Sequence, residues 1–163
     1  MGKYWIFDFD GTLVDSESPI RQCYIKVTKV IAPSSLKNIE GILIGPTLQE
    51  TTKLILGSEN SNKYKQFITL FKKEYDENLL LKTKPYGGVL ETLKKLIRRG
   101  DKLAIATNKR REATQKLIDH YGWNEYFHWV GCADEKKEAV KNKNELVTFY
   151  IKNNPQFSDA YFV

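Results

Sequence analysis

The sequence has few of the residues that mark secreted or membrane-bound proteins. It contains only two cysteines, Cys23 and Cys132, which are far apart and show no zinc-ligand spacing. It has no apolar run of about 18 residues, and its amino terminus has no basic segment followed by an apolar one. We therefore expect a cytoplasmic protein with two reduced thiols, no membrane partner and no signal peptide.

The positive charge of the chain is spread out rather than clustered. Lysine and arginine number 26 against 20 acidic residues, which gives a net charge of +6. The lysines lie mostly opposite the apolar faces of predicted helices, as on ordinary solvated surfaces. Neither paired Cys/His spacing nor the aromatic strand motif of RNA-binding domains is present. We expect no nucleic-acid partner, and a basic nucleic-acid-binding module is a third reading that requires salt-dependent binding.

An apolar run followed by two acids stands near the start of the chain. Residues 4–7 are all apolar, and Asp8, Asp10 and Gly11 follow them. Such a run predicts a buried parallel strand whose carboxyl end presents polar groups. The two carboxylates point the same way, and they repel each other unless a cation lies between them or one is protonated. The pattern favours a Mg²⁺ site acting on phosphate, because Mg²⁺ prefers carboxylate and substrate oxygens together with water.

Strands and helices alternate in the second half of the chain. Apolar strands are predicted at 102–106, 127–132 and 159–163, with amphipathic helices between them. This alternation favours an α/β fold with a parallel, doubly wound sheet. Ligands bind such sheets at the carboxyl ends of the strands.

The segment between the first strand and this α/β half has no convincing strand. Ser18 followed by Pro19 predicts a helix start. The apolar spacing indicates three or four amphipathic helices between about residues 17 and 80. We therefore predict an α/β core domain from residues 1–16 and 82–163 and a separate helical domain from residues 17–81.

Three sequence motifs together resemble those of one known family. The first strand is followed by DFDGTLVDS, a later strand ends in Thr107-Asn108-Lys109, and the stretch leading to that strand begins with PYGGV. These motifs resemble the haloacid-dehalogenase-like (HAD) superfamily, in its phosphoglycolate-phosphatase-like branch, and the resemblance covers the whole chain. It implies a Rossmann-like parallel sheet with an inserted helical cap. It also implies a magnesium-dependent phosphatase that hydrolyses a small phosphomonoester.

The resemblance implies roles for individual residues. Asp8 corresponds to the nucleophile that forms an aspartyl phosphate, and Asp10 to the acid that protonates the leaving alcohol and then activates water. The Asp8 carboxylate and the Asp10 carbonyl would also hold Mg²⁺. The hydroxyl of Thr107 and the backbone amide of Asn108 would bind the phosphoryl oxygens.

Family members also place a lysine ahead of a late helix, and this sequence offers two candidates. Lys143 precedes Leu146 as in members that read N-K-x-E-hydrophobic. Lys141 stands where the commoner K-P-x-P lysine would fall, but neither proline is present. We favour Lys143 as the catalytic, phosphate-binding lysine and keep Lys141 as the alternative.

The sequence departs from the family pattern at its carboxyl end. The family's fourth motif, an acidic G-D-x-x-x-D segment, would follow the last predicted strand, where the sequence ends at Val163. Without those carboxylates Mg²⁺ should bind weakly, so we expect either a truncated form of a working phosphatase, impaired as given, or a naturally short member with reduced or lost activity. The last strand should then be an exposed apolar edge, which is a liability for aggregation or for dimerisation. The alternative function is a catalytically inactive binding or interaction protein that keeps the fold.

The expected truncation is tested by the coding sequence that follows Val163. We expect it to continue in frame with an acidic G-D-x-x-x-D segment. A stop codon directly after Val163 would instead identify a naturally short member.

Overall fold

The chain folds as two units that alternate along the sequence. The computed structural model describes residues 2–57, 62–134 and 142–163. One unit combines Met1–Asp15 with Lys84–Val163, and the other is Ser16–Thr83. The bounds of these two units differ by one or two residues from those predicted for the core and cap domains. The functional roles of the two domains remain predictions.

The described residues form six strands and six α-helices. The strands are β1 (Tyr4–Phe7), β2 (Val14–Asp15), β3 (Lys84–Pro85), β4 (Lys102–Thr107), β5 (Phe127–Cys132) and β6 (Tyr161–Phe162). The helices are α1 (Glu17–Ile31), α2 (Leu48–Leu56), α3 (Asn62–Glu74), α4 (Val89–Arg98), α5 (Arg111–His120) and α6 (Lys143–Asn153). Short 3₁₀ or π turns cover Pro33–Ile39, Tyr75–Leu79, Leu80–Lys82 and Pro155–Phe157.

The first unit is built on a four-stranded parallel sheet in the order β5-β4-β1-β6. The chain moves from β1 to β4 and β5 on one side, then crosses back to β6 on the other. The strand order therefore reverses beside β1, and the carboxyl end of β1 is where such sheets form a crevice. The predicted α/β fold with a parallel sheet is confirmed.

The core of this unit lies between the sheet and the helices that connect its strands. On one face Ile6 and Ala104 pack with Tyr150 and Phe157, which follow β5 in the chain. The ring of Tyr150 stacks on Trp129 with their centroids 3.9 Å apart. A Cβ at Gly131 would lie 2.2 Å from the Trp129 ring, so only glycine fits at that point of β5.

A buried carboxylate ties the amino end of β1 to the turn before β4. Asp101 accepts hydrogen bonds from the Lys3 amide at 2.8 Å and from Trp5 Nε1 at 2.9 Å. It also forms an ion pair with Arg99. The Arg99 guanidinium, followed by the Lys3 and Trp5 donors, lowers the pKa of Asp101 from 3.8 to about 2 against the opposing effect of burial. These contacts hold the two central strands of the sheet in register at their amino ends.

A short antiparallel ribbon, absent from the sequence prediction, also belongs to the first unit. Val14 pairs with Pro85, and Asp15 pairs with Lys84. Two-residue strands give no detectable alternation, so only the contact itself reveals them. At the far side of the sheet, β6 lies at the edge with half-exposed apolar side chains, Tyr161, Phe162 and Val163.

The second unit is helical throughout its described part. Its core contains an aromatic row in which Tyr24 lies 4.5 Å from Phe71, and Phe71 lies 5.6 Å from Tyr75, measured between ring centroids. Helix α1 begins at Glu17 with Ser16 as its cap residue, two positions before the predicted start at Pro19. The difference arises because proline is tolerated anywhere in a first helical turn, where its missing N–H would have no helical acceptor.

None of the helices among the described residues has the length and apolar character that a membrane crossing requires.

The Asp101 network predicts a specific acid sensitivity. A carboxylate whose pKa is lower in the folded state stabilises the fold above its unfolded pKa, and this stabilisation is lost as the pH falls toward the folded pKa. We therefore expect Asp101→Asn to lower the free energy of unfolding at pH 7 by on the order of 1 kcal/mol. The difference from wild type should shrink between about pH 4 and pH 2. Urea unfolding at several pH values measures this, with the exposed Asp159→Asn as control. Parallel pH profiles for wild type and Asp101→Asn would contradict it.

Candidate active site

The predicted site residues of the first unit meet at the carboxyl ends of β1 and β4. Asp8 directly follows β1, and Asp10 lies two residues further on. Thr107 is the last residue of β4, and Asn108 follows it. Because β1 and β4 are adjacent and parallel, both sets of side chains reach the same edge of the sheet.

Asp8 is held by two donors. Its Oδ1 accepts a hydrogen bond from the Phe9 amide at 2.7 Å. Its Oδ2 forms an ion pair with Nζ of Lys143, the first residue of α6. The two side chains are 25% and 37% exposed, so the pair is open to solvent and to a ligand. The structure thus brings together the predicted nucleophile and the favoured lysine, while Lys141 lies outside the described residues.

Asp10 has a lysine partner that the sequence prediction did not include. Nζ of Lys109 lies 3.0 Å from Asp10 Oδ1 and 3.3 Å from Oδ2. The Lys109 side chain is only 5% exposed and that of Asp10 14%. The available signal was a lysine two residues after a buried strand, where an unpaired charge would be costly to bury.

Thr107 and Asn108 make local contacts that shape the loop after β4. Thr107 is buried, and its Oγ1 accepts a hydrogen bond from the Lys109 amide at 3.1 Å. A hydroxyl that accepts one bond keeps its own proton for donation in another direction. The Asn108 side chain reaches the start of α6, where its Oδ1 accepts a hydrogen bond from the Lys143 amide at 2.8 Å.

The site combines two carboxylates with two ammonium groups, so their formal charges cancel. The repulsion expected between Asp8 and Asp10 is therefore relieved within the protein by Lys143 and Lys109. The two ammonium groups also place positive charge where an anionic group could bind.

A cavity of about 380 Å³ opens beside the Asp8–Lys143 pair. It is also lined by apolar side chains of α6 and the end of β6, including Val147 and Phe162. This volume falls at the lower end of the range found for small-molecule sites, about 300–1,000 Å³.

The donor set fits one mode of Mg²⁺ binding and not another. Among the described residues, no group of three or more His, Cys, Asp or Glu side chains is placed to hold a metal ion. A cage made of protein ligands alone is therefore not formed by the described part of the chain. Mg²⁺ commonly uses one or two carboxylates and takes its other ligands from substrate phosphate and water, and Asp8 and Asp10 fit that mode.

Cys132 is buried at the end of β5, and burial raises the pKa of its thiol to about 11. At neutral pH this thiol is therefore protonated, and a protonated thiol is a poor nucleophile.

The chain is similar in sequence to one family of hydrolases and to two curated phosphatases. A family model described as haloacid dehalogenase-like hydrolase matches residues 5–158. The chain is 28% identical over 142 residues to the pyrophosphatase PpaX of Halalkalibacterium halodurans, covering 86% of this chain and 64% of the relative. It is 30% identical over 143 residues to the phosphoglycolate phosphatase of Aquifex aeolicus, covering 82% and 63%. The chain therefore spans slightly less than two thirds of the length of these curated relatives.

Solved structures share the fold at lower identity. A crystal structure described as a predicted phosphatase from Clostridium acetobutylicum superposes with a TM-score of 0.80 at 20% identity, covering 99% of this chain and 75% of that one. One described as a predicted phosphoglycolate phosphatase from Haemophilus somnus gives 0.78 at 21% identity, covering 99% and 76%. At these identities the likeness concerns the fold alone.

The burial of Lys109 predicts a strong coupling with Asp10 in stability. We expect Asp10→Asn to lower the free energy of unfolding by roughly 3 kcal/mol, because it leaves the buried ammonium without its carboxylate. Lys109→Met in the same chain should recover much of that loss. Urea unfolding of the two single variants and the double variant gives the coupling energy.

The matched control for this cycle is the exposed pair Glu112–Lys116, whose charged atoms are 2.9 Å apart. Its cycle should give no more than about 0.5 kcal/mol, because exposed helical pairs contribute little. A coupling between Asp10 and Lys109 no larger than this control would contradict the prediction.

Proposed function

The chain belongs to the haloacid dehalogenase-like hydrolase family, and on that premise we propose that it is a magnesium-dependent phosphatase. The proposed substrate is a small phosphomonoester, and the proposed route is an aspartyl-phosphate intermediate. The single observation that carries the proposal is the Asp8–Lys143 ion pair, which lies at the carboxyl end of the central strand beside a ligand-sized cavity.

In the first step the Asp8 carboxylate attacks phosphorus, and the bond from phosphorus to the leaving oxygen breaks. Asp8 is exposed enough to be reached and is oriented by the Phe9 amide. Lys143 balances the negative charge of the phosphoryl oxygens as they approach a carboxylate of the same sign. The leaving oxygen takes a proton from Asp10, which must be protonated at this stage.

In the second step Asp10 acts as a base. It removes a proton from the water molecule that attacks the aspartyl phosphate, and the phosphorus–oxygen bond to Asp8 breaks to release inorganic phosphate. Using one carboxyl group in both directions leaves Asp10 ready for the next substrate.

Two further groups of the β4 end complete the proposed site. The Thr107 hydroxyl and the Asn108 backbone amide donate to the phosphoryl oxygens that carry charge in the transition state. Mg²⁺, held by the Asp8 carboxylate and the Asp10 carbonyl, would supply additional positive charge at those oxygens. In this proposal residues 17–81 act as a cap that excludes water during the reaction.

The remaining proposals concern the 163-residue form itself. Its Mg²⁺ affinity and activity are expected to be reduced, because the described residues contain no group of three or more His, Cys, Asp or Glu side chains placed to hold a metal ion. The half-exposed Tyr161, Phe162 and Val163 at the β6 edge support dimerisation through that edge. A cytoplasmic location stays a prediction of the sequence.

The proposed activity predicts Mg²⁺-dependent release of phosphate from p-nitrophenyl phosphate. We expect Asp8→Asn to reduce the rate by roughly 10³-fold or more, because it removes the carboxylate that would form the covalent intermediate. Chelation of Mg²⁺ should have a comparable effect. Phosphate release is measured for the 163-residue chain and for the chain in its full open reading frame.

Asp159→Asn serves as the control, because this exposed acid precedes β6 at the opposite end of the sheet. It should leave the rate unchanged. The proposal fails if the full open reading frame turns over none of a panel of phosphomonoesters. The alternative, a catalytically inactive binding protein, is ruled out if the 163-residue form binds Mg²⁺ tightly in calorimetry and shows measurable turnover.

A further inference from the structure

Two consecutive side chains after β4, Asn108 and Lys109, each contact one half of the proposed catalytic apparatus. The proposed chemistry uses the backbone amide of Asn108, and it gives Lys109 no role. Their side chains nevertheless reach Lys143 and Asp10, which are distant from them in sequence. This division is the basis of an inference that rests on the proposed function.

We propose that the Asn108 and Lys109 side chains are positioning residues: Asn108 holds Lys143 against the nucleophile Asp8, and Lys109 orients the acid–base carboxyl group of Asp10. The loop after β4 thereby aligns both steps of the reaction from one short segment. Neither side chain needs to touch the substrate.

The case for Asn108 begins with the first turn of α6. The first amides of a helix have no acceptor within the helix and must find one elsewhere. Asn142 Oδ1 accepts from the amides of Asn144 at 3.0 Å and Glu145 at 3.1 Å. The amide of Lys143 is taken by Asn108 Oδ1 at 2.8 Å, from a loop 35 residues earlier in the chain. The cap of α6 is therefore completed by a residue of the site itself.

This anchor matters because the Lys143–Asp8 pair is partly exposed. Exposed ion pairs contribute little by themselves, since two mobile side chains must be ordered against solvent. A hydrogen bond to the Lys143 backbone fixes the point from which its long side chain extends. Asn108 thereby restricts the positions that the ammonium group can occupy and keeps it close to Asp8.

The case for Lys109 rests on burial and on contact with both carboxylate oxygens. Its side chain is 5% exposed, and its Nζ lies 3.0 and 3.3 Å from the two oxygens of Asp10. Contact with both oxygens restricts rotation of the carboxyl group about its last torsion. The Lys109 backbone is itself fixed by the bond from its amide to Thr107 Oγ1. The orientation of Asp10 is thus set from the end of β4.

The two roles predict different kinetic signatures. Loss of a lysine contact weakens the hold on the phosphoryl group whatever the leaving group is. Loss of the Asp10 orientation matters most when the leaving group is basic and needs a proton. The ratio of kcat/KM for p-nitrophenyl phosphate and phenyl phosphate separates the two cases, because these esters are similar in shape and differ in the basicity of the oxygen released.

For Asn108, we expect Asn108→Leu to lower kcat/KM roughly tenfold for both esters, the scale of one lost hydrogen bond. Asn108→Asp keeps an oxygen acceptor and should restore most of the activity. In a Lys143→Ala background, Asn108→Leu should have little further effect, because the group that it positions is gone. Equal losses in both backgrounds, or no rescue by Asn108→Asp, would overturn this half of the proposal.

For Lys109, we expect Lys109→Met to lower kcat/KM roughly tenfold for p-nitrophenyl phosphate and roughly 100-fold for phenyl phosphate. In an Asp10→Asn background the same change should have little effect on p-nitrophenyl phosphate. Equal losses for the two esters would show that Lys109 acts on the fold in general and would overturn this half. The Asn108 and Lys109 variants serve as controls for one another, because the signature of one is absent in the other.

Thermal unfolding of each variant separates folding from function, and Asn108→Ala replaces Asn108→Leu if the larger side chain prevents folding. All assays use the chain in its full open reading frame. If the wild type shows no phosphatase activity, the proposed function fails and the positioning roles fail with it. If the wild type is active but the double variants are additive, only the positioning roles fail.

Discussion

Two carboxylates at the end of one buried strand create the constraint around which the first unit is arranged. Left alone they repel each other, and the strand that carries them lies in the middle of the sheet. Asp8 is paired with Lys143 and Asp10 with Lys109, so each charge is met by one from a different part of the chain. The ion pairs that relieve the repulsion between the two carboxylates also produce a site suited to an anionic group, because stability and chemistry require cations in the same places.

The two ion pairs differ in burial, and this difference fits the proposed division of labour. The Asp8–Lys143 pair is open to solvent, as expected of groups that exchange partners with a substrate in each turnover. The Asp10–Lys109 pair is largely enclosed and therefore more rigid. A nucleophile must be reached, whereas an acid–base group must be correctly aimed.

The phosphate chemistry proposed for the α/β core does not specify the substrate. Relatives of similar identity are named as a pyrophosphatase and as a phosphoglycolate phosphatase. The proposed nucleophile, acid and lysine at one sheet edge would serve either a phosphoanhydride or a phosphomonoester, because all three would act on the phosphoryl group or on the oxygen next to it. Selection of the remainder of the substrate requires further contacts, which the proposed cap would supply.

The parallel α/β fold, the helical insertion and the clustering of Asp8, Asp10 and Thr107 could be predicted from residue order alone, because buried strands are continuous apolar runs whose polar ends follow directly in the chain. Tertiary structure decided the partners. Lys109 meets Asp10 across 99 residues because β1 and β4 are paired in parallel. Lys143 meets Asp8 across 135 residues because α6 begins next to the end of β4, where its first amide contacts Asn108. The contact of the Asn108 side chain with α6 and the β2–β3 ribbon likewise depend on the tertiary structure. These features depend on distance in space, which a local pattern of residue types does not encode.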